Sequence, residues 1–192
     1  MRDGSRVLYA IGAWEHPAAK DTSKGDKHDL RSHVWVVSAD GSSNRQLTFS
    51  ERGESAPQWS PDGKYISFVS ARGTATGDDG PKPQVWLMHA DGGEAFQLTS
   101  ARDGAAGYVW SPDSKSLAFL TTDTLTRDAE AKARRRDDPK PFEGDMRMSH
   151  VWVVDIASKK AVKVTSGAFS VAGTPAWSPD GKIGRASCRE RV

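Results

Sequence analysis

A ten-residue unit recurs along this chain at fixed spacing. Trp59-Ser60-Pro61-Asp62-Gly63-Lys64-Tyr65-Ile66-Ser67-Phe68 returns as Trp110-Ser111-Pro112-Asp113-Ser114-Lys115-Ser116-Leu117-Ala118-Phe119. Trp177-Ser178-Pro179-Asp180-Gly181-Lys182 opens it once more, and Asp3-Gly4-Ser5-Arg6-Val7-Leu8-Tyr9 matches its second half. Trp35 to Trp86, Trp59 to Trp110 and Leu47 to Leu98 are each 51 residues apart, whereas Trp86 to Trp152 and Leu98 to Val164 are 66 apart. A repeat of this length is the signature of stacked supersecondary units, each unable to bury its apolar face alone. One insertion, between the second and third strands of a single unit, accounts for the longer step.

Each unit reads as strands joined by turns. Ser-Pro-Asp-Gly suits a type I turn, with Ser at the first corner, Pro fixing the φ of the second and Gly closing it. The Trp before the turn ends one short strand, and the alternation of Tyr65, Ile66 and Phe68 after it starts the next. A third strand follows at Gln84–Met88, then an Asp91-Gly92 hairpin signal and a fourth strand at Ala95–Thr99. The last two recur as His33–Val37 with Arg45–Thr48, and as His150–Val154 with Ala161–Thr165. Four antiparallel strands per repeat make the blade of a β-propeller. The expected fold is therefore all-β, a partial propeller in which three to four blades are represented and the ring is incomplete. Blades are expected at approximately 1–50, 55–100 and 107–166, with the start of the next at 174–182. Trp35, Trp59, Trp86, Trp110, Trp152 and Trp177 sit at repeat positions and are assigned to packing between blades. Pro61, Asp62, Gly63, Pro112, Asp113, Pro179, Asp180 and Gly181 are assigned to turn chemistry.

A closed propeller needs roughly four to eight blades. An open arc leaves faces and edges uncovered, so residues 1–182 read as a fragment of a longer protein, poorly stable alone unless it oligomerises. Residues 183–192 break the alternation that Asp180-Gly181-Lys182 calls for. They read as the in-frame translation of a sequencing adapter, a cloning or sequencing artefact to be set aside in fold reasoning. Without its three Arg and one Glu the formal charge falls from +2 to zero, and the only cysteine, Cys188, goes with it. That balance, and the scatter of Lys and Arg between strands, argue against a nucleic-acid partner. No apolar run approaches the ~18 residues of a membrane span, and Met1-Arg2-Asp3-Gly4 is not a signal peptide.

Two long polar connections, Trp14 to Ser32 and Thr122 to Met148, join second and third strands and belong on the same face or rim. Within the second, Arg127 to Arg136 is Ala-rich with Glu130 four residues before Arg134, the pattern of a short exposed helix ended by Asp137-Asp138-Pro139. Its Arg triplet reads as a solvated face rather than an anion site. No Gly-x-Ser-x-Gly occurs. The nearest approach, Gly53-Glu54-Ser55-Ala56-Pro57, precedes an inner strand rather than a strand-to-helix elbow, so Ser55 is read as a turn residue. His33 and His150 fill the position that Gln84 holds in the second blade, a blade's width apart, which disfavours a shared metal. His16, His28 and His89 are isolated in loop or strand-end contexts. No metal, no cofactor and no catalytic residue is expected. Glu143 and Asp145 could face a central substrate, the plainer reading being surface charge on a loop.

The Trp-Ser-Pro-Asp-Gly-Lys units, with their Val-Trp strands and Leu-Thr endings, resemble the TolB-type propeller repeat. The insertion, from Thr121-Thr122-Asp123 through Asp137-Asp138-Pro139 to Ser149-His150-Val151-Trp152-Val153-Val154-Asp155, is similar to the propeller of the prolyl oligopeptidase family, of the bacterial acylaminoacyl-peptidase or dipeptidyl-peptidase type. The resemblance covers roughly residues 3–182. It implies a serine peptidase whose propeller restricts a C-terminal α/β-hydrolase domain to oligopeptide substrates, with Ser, Asp and His all on that domain and none on this chain. Glu143 and Asp145 are not the Glu-Glu pair that binds a free amine in the dipeptidyl branch, so that role is not carried over. The alternative is a non-enzymatic TolB-like propeller that docks protein partners. The resemblance leaves the compartment open between bacterial cytoplasm and periplasm.

Overall fold

The computed structural model describes residues 4–15, 29–73, 80–124, 147–181 and 187–189. Its strands are antiparallel throughout, and the chain divides into two compact units, Met1–Leu98 and Thr99–Val192. The first unit holds two sheets. One has three strands in the order β1 (Arg6–Glu15), β2 (Asp29–Ser38), β3 (Asn44–Gln46); the other has four, β4 (Ser55–Trp59), β5 (Tyr65–Ser70), β6 (Gln84–His89), β7 (Phe96–Gln97). The second unit holds a four-stranded sheet of β8 (Ala106–Trp110), β9 (Ser116–Thr122), β10 (Ser149–Asp155) and β11 (Ala161–Lys163). A two-stranded sheet, β12 (Ser170–Ala172) with β13 (Ser187–Arg189), completes it. Both four-stranded sheets run in sequence order, as the up-and-down strands of a propeller blade do.

The repeated turn has the expected geometry. The Gly63 N–H donates to the Ser60 carbonyl at 2.9 Å, Ser114 to Ser111 at 3.0 Å, and Gly181 to Ser178 at 2.9 Å. The closing residue lies in the left-handed region each time, at φ +75° for Gly63, +61° for Ser114 and +77° for Gly181, which is why Gly is the usual occupant. The Asp side chain ties the turn together. Asp62 Oδ1 accepts from the Ser60 hydroxyl (2.7 Å) and the Lys64 N–H (3.1 Å), and Asp113 repeats this with Ser111 (2.6 Å) and Lys115 (3.0 Å). The Leu-Thr ending has an equally local cause. Leu47, Leu98 and Val164 donate their N–H to the carbonyls of Val34, Val85 and Val151, at 2.8, 2.9 and 2.8 Å. The next residue then offers a side chain instead of a carbonyl: the Thr48 hydroxyl accepts from Val34 N–H and the Thr165 hydroxyl from Val151 N–H.

That substitution shortens the outer strands. The expected Arg45–Thr48, Ala95–Thr99 and Ala161–Thr165 stop at Gln46, at Gln97 and at Lys163. Other boundaries move the opposite way. Trp14 and Glu15, with Asp29 to Ser32, read as connection but belong to β1 and β2, whose ladder continues from Ile11↔His33 to Glu15↔Asp29. Backbone pairing extends beyond apolar alternation because each residue carries its own donor and acceptor. Ser55 is the exposed first residue of β4, paired with Val69, not a turn residue. The fourth blade's first strand is Ser170–Ala172, earlier than the expected start at 174. Residues 187–189, inside the segment read as an artefact, pair with that strand. The helix expected at 127–136 lies outside the described residues.

The cores form where one sheet meets the next. In the first unit Val34, Ile66, Phe68 and Met88 are buried together, with Leu8, Leu47, Trp59, Trp86 and Ala95 packed around them. Trp59 of the second sheet thus sits against strands of the first, and the Arg6 guanidinium lies 5.8 Å over its ring. In the second unit Ala118, Leu120, Val151 and Val171 are buried together with Trp177 against them, and the Trp177 indole donates to the Val109 carbonyl at 3.2 Å. Burying one such large apolar side chain is worth about 1.5–3 kcal/mol. Trp59 and Trp177, expected to pack between blades, lie against these two clusters.

Candidate functional site

Superposing the repeats in register brings three kinds of polar group into view. The turn aspartates come first. Burial opposes ionisation of Asp62 but is outweighed by the hydrogen bonds from Ser60 and Lys64 and by the Lys64 charge, so its pKa lies below the ordinary carboxylate value. Asp113 is held down chiefly by the Ser111 hydroxyl and the Lys115 N–H. Asp180 accepts from the Ser178 hydroxyl in the same way. These carboxylates are consumed by their own turns, and they need no ligand to explain them.

The second group is the row His33, Gln84 and His150, all buried. His33 Nδ1 lies 3.0 Å from Glu54 Oε2, and Glu54, which leads into β4, has a side chain with no exposure at all. Its backbone is fixed as well: the Glu54 N–H donates to the Ser32 carbonyl (2.6 Å), and the Ser32 hydroxyl donates to the Glu54 carbonyl (2.5 Å). Gly53 is required just before it, since a Cβ there would stand 3.2 Å from Ser32 backbone atoms at φ +70°. In the second unit His150 Nε2 lies 3.2 Å from Asp123 Oδ2, and Lys163 Nζ donates to Asp123 Oδ1 at 2.7 Å. The Thr165 hydroxyl accepts from the Val151 N–H and lies 3.3 Å from His150 Nδ1. An ionised Asp123 carboxylate can only accept, so Nε2–H donates to it. Each histidine is thereby assigned a carboxylate partner within its own unit. Among the described residues no three His, Cys, Asp or Glu side chains are placed to hold a metal ion. His89 packs on Tyr65 with ring centroids 4.8 Å apart. Glu143, Asp145, His16 and His28 lie outside the described residues.

The third group is a repeated aromatic platform. A ring on the second strand pairs across the ladder with the Trp of the third: Tyr9 with Trp35, Phe68 with Trp86, and Phe119 with Trp152. Four residues after Phe68 stands Arg72; four after Phe119 stands Asp123. The Arg72 guanidinium lies 4.5 Å over the Trp86 ring and 4.9 Å over that of Phe68. Its Nη1 is 4.0 Å from Glu54 Oε1, and its buried Nε and Nη2 have no hydrogen-bond partner. Burial lowers the Arg72 pKa, with Glu54 and Glu94 opposing. In the second unit Asp123 turns to His150 and Lys163, and a cavity of about 320 Å³ is lined by Phe119 and Trp152. Ser100, Arg102, Thr121, Thr122, Asp123 and Thr124 supply its polar wall. The Asp123 end is anchored by Arg147, which donates to the Asp123 carbonyl and pairs with Asp103.

The sequence pointed to none of Glu54, Arg72 or Asp123 as site residues. The usable signal was register: charges of opposite sign at one position of two repeats, beside a Phe and Trp pair present in both.

No protein-family model matches the chain. It is 27% identical over 195 residues to the uncharacterized peptidase YuxL of Bacillus subtilis, and 30% identical over 208 residues to dipeptidyl-peptidase 5 of Porphyromonas gingivalis. Each alignment takes in 94% of this chain and 27% of the relative, so the chain spans about a quarter of their length. Among solved structures, a TolB protein of Agrobacterium tumefaciens matches with a TM-score of 0.60 at 22% identity, covering 97% of this chain and 55% of that one. The β-propeller domain of the Trilobed protease of Pyrococcus furiosus matches at 0.52 and 15% identity, covering 85% and 40%. The acylaminoacyl peptidase of Pyrococcus horikoshii matches at 0.51 and 17%, covering 82% and 22%. This chain is therefore a β-propeller fragment whose relatives in sequence include peptidases and whose relatives in fold include TolB-type and peptidase propellers.

Proposed function

We propose that the chain is the propeller portion of an oligopeptide-cleaving serine peptidase, gating access to an α/β-hydrolase domain C-terminal to it in the parent protein. The observation that carries this reading is the match to two peptidases over 94% of the chain. The physics of a ring agrees with it: a rigid passage admits a flexible oligopeptide and excludes a folded protein. The catalytic Ser, His and Asp then reside on the hydrolase domain, and the oligopeptide and that domain are the propeller's partners. Glu143 and Asp145 are the substrate-facing candidates of this reading. The TolB match favours a second reading, a propeller that binds protein partners and catalyses nothing.

The test is a length series on the parent protein. Short peptides should be cleaved, with turnover abolished by a serine-directed phosphonate, and casein should resist. Casein degraded as fast as a pentapeptide would remove the gate, and no hydrolysis at all would leave the binding propeller.

A further inference from the structure

The two complete blades differ at one point that carries chemical information. In the second blade the Phe68 and Trp86 platform is covered by a guanidinium that the chain itself supplies. In the third blade the same pair, Phe119 with Trp152, has a carboxylate, Asp123, at the register position of that arginine, and all three residues line a cavity of about 320 Å³. We propose that this cavity is a binding site for a guanidinium group, the arginine side chain of a peptide, seated on Trp152 and Phe119 with Asp123 as counter-charge.

Three observations support the assignment. The first is the internal precedent: Arg72 lies over both rings of the second-blade platform with Glu54 as its carboxylate partner at 4.0 Å, so the platform takes a planar cation when a carboxylate stands beside it. Desolvated cation–π contacts are the strong ones, and Trp is the best face for them. Second, Asp123 has acceptor capacity left. A carboxylate offers about four lone-pair sites, and the described contacts of the Asp123 side chain are one hydrogen bond to Lys163 and one contact with His150. Its side chain is 37% exposed, so it can be reached. Third, the planar fork of a guanidinium stacks and pairs at once, which an ammonium does not. Arg102 on the wall is already engaged in an interaction of its own, and it limits the affinity rather than the charge type. The inference does not rest on the peptidase reading, since platform and carboxylate belong to this chain under either function.

The experiment titrates the purified chain with N-acetyl-argininamide and follows the Trp152 indole N–H by NMR. N-acetyl-citrullinamide, the neutral isostere, is the comparator. Saturable binding of the arginine compound is expected, with the citrulline compound weaker by at least about tenfold. Asp123→Arg should rebuild the second-blade arrangement and abolish binding, because the platform is then occupied from within. Asp123→Asn, which keeps the shape, should weaken binding several-fold and guards against misfolding of the first variant. Equal binding of the two compounds, no binding of either, or wild-type affinity in a folded Asp123→Arg chain would each overturn the assignment.

Discussion

Replacing Glu54 by Gln keeps the shape of a fully buried side chain and removes its charge. The carboxylate has two charged or chargeable neighbours, His33 Nδ1 at 3.0 Å and Arg72 Nη1 at 4.0 Å. A unit-charge pair at that second distance is worth about 1 kcal/mol in water and about 4 at an effective dielectric near 20. Arg72 retains 23% side-chain exposure, which places the loss between these limits, at about 2 kcal/mol. In a chain of this size each kcal/mol moves the melting temperature by roughly 2–4 °C, so Glu54→Gln should melt about 4–8 °C lower. Arg72→Met should be destabilising too, because it leaves Glu54 buried with one partner fewer. The double variant separates the pair from its parts: if the two side chains interact, its cost falls short of the sum of the singles by more than about 1 kcal/mol. Melts followed by circular dichroism supply all four values. Strict additivity, or a Glu54→Gln chain as stable as the parent, would refute the Glu54–Arg72 pair as a stabilising contact of the second sheet.

Other consequences are local. Ala56 and Ser114 hold left-handed φ values of +50° and +61°, so Ala56→Gly and Ser114→Gly should each stabilise by up to about 1 kcal/mol in urea titrations. Thr165→Val strips the acceptor from the buried Val151 N–H and should cost about 1–3 kcal/mol, with faster hydrogen exchange at that amide. Asp62 and Asp113 have pKa values depressed in the fold. Their contribution to stability is full above the unfolded-state value and is lost as pH falls through the depressed one. Melting temperature should therefore drop below about pH 4, and less steeply in a chain carrying Asp62→Asn and Asp113→Asn. In the parent protein, under the proposed peptidase function, Glu143→Gln and Asp145→Asn should raise KM for oligopeptides if these residues face substrate, and unchanged KM would return them to surface charge.

Much of the architecture was legible because it is written in backbone punctuation. Trp-Ser-Pro-Asp-Gly sets a turn through φ preferences and one side-chain acceptor, and it does so wherever it occurs. The 51-residue period then carried strand order. Strand ends were less legible, since pairing from Ile11↔His33 out to Glu15↔Asp29 needs no apolar pattern. The outer strands ended early because a Thr hydroxyl can stand in for a carbonyl, an equivalence that composition does not reveal. The charged residues of the site were the least visible. Glu54 sits in a Gly-Glu-Ser-Ala-Pro stretch that reads as an exposed turn, yet its side chain is fully buried. Arg72 and Asp123 look like ordinary loop charges until the repeat register shows one aromatic pair covered by a cation and its counterpart lining a cavity.

The most direct test of the proposed peptidase function is a read of the parent gene from Lys182 onward. The account predicts a frame that runs through further blades into a Gly-x-Ser-x-Gly elbow, with Asp and His downstream. A frame that stops once the ring has closed would contradict it, and would assign these blades to a propeller that binds without cleaving.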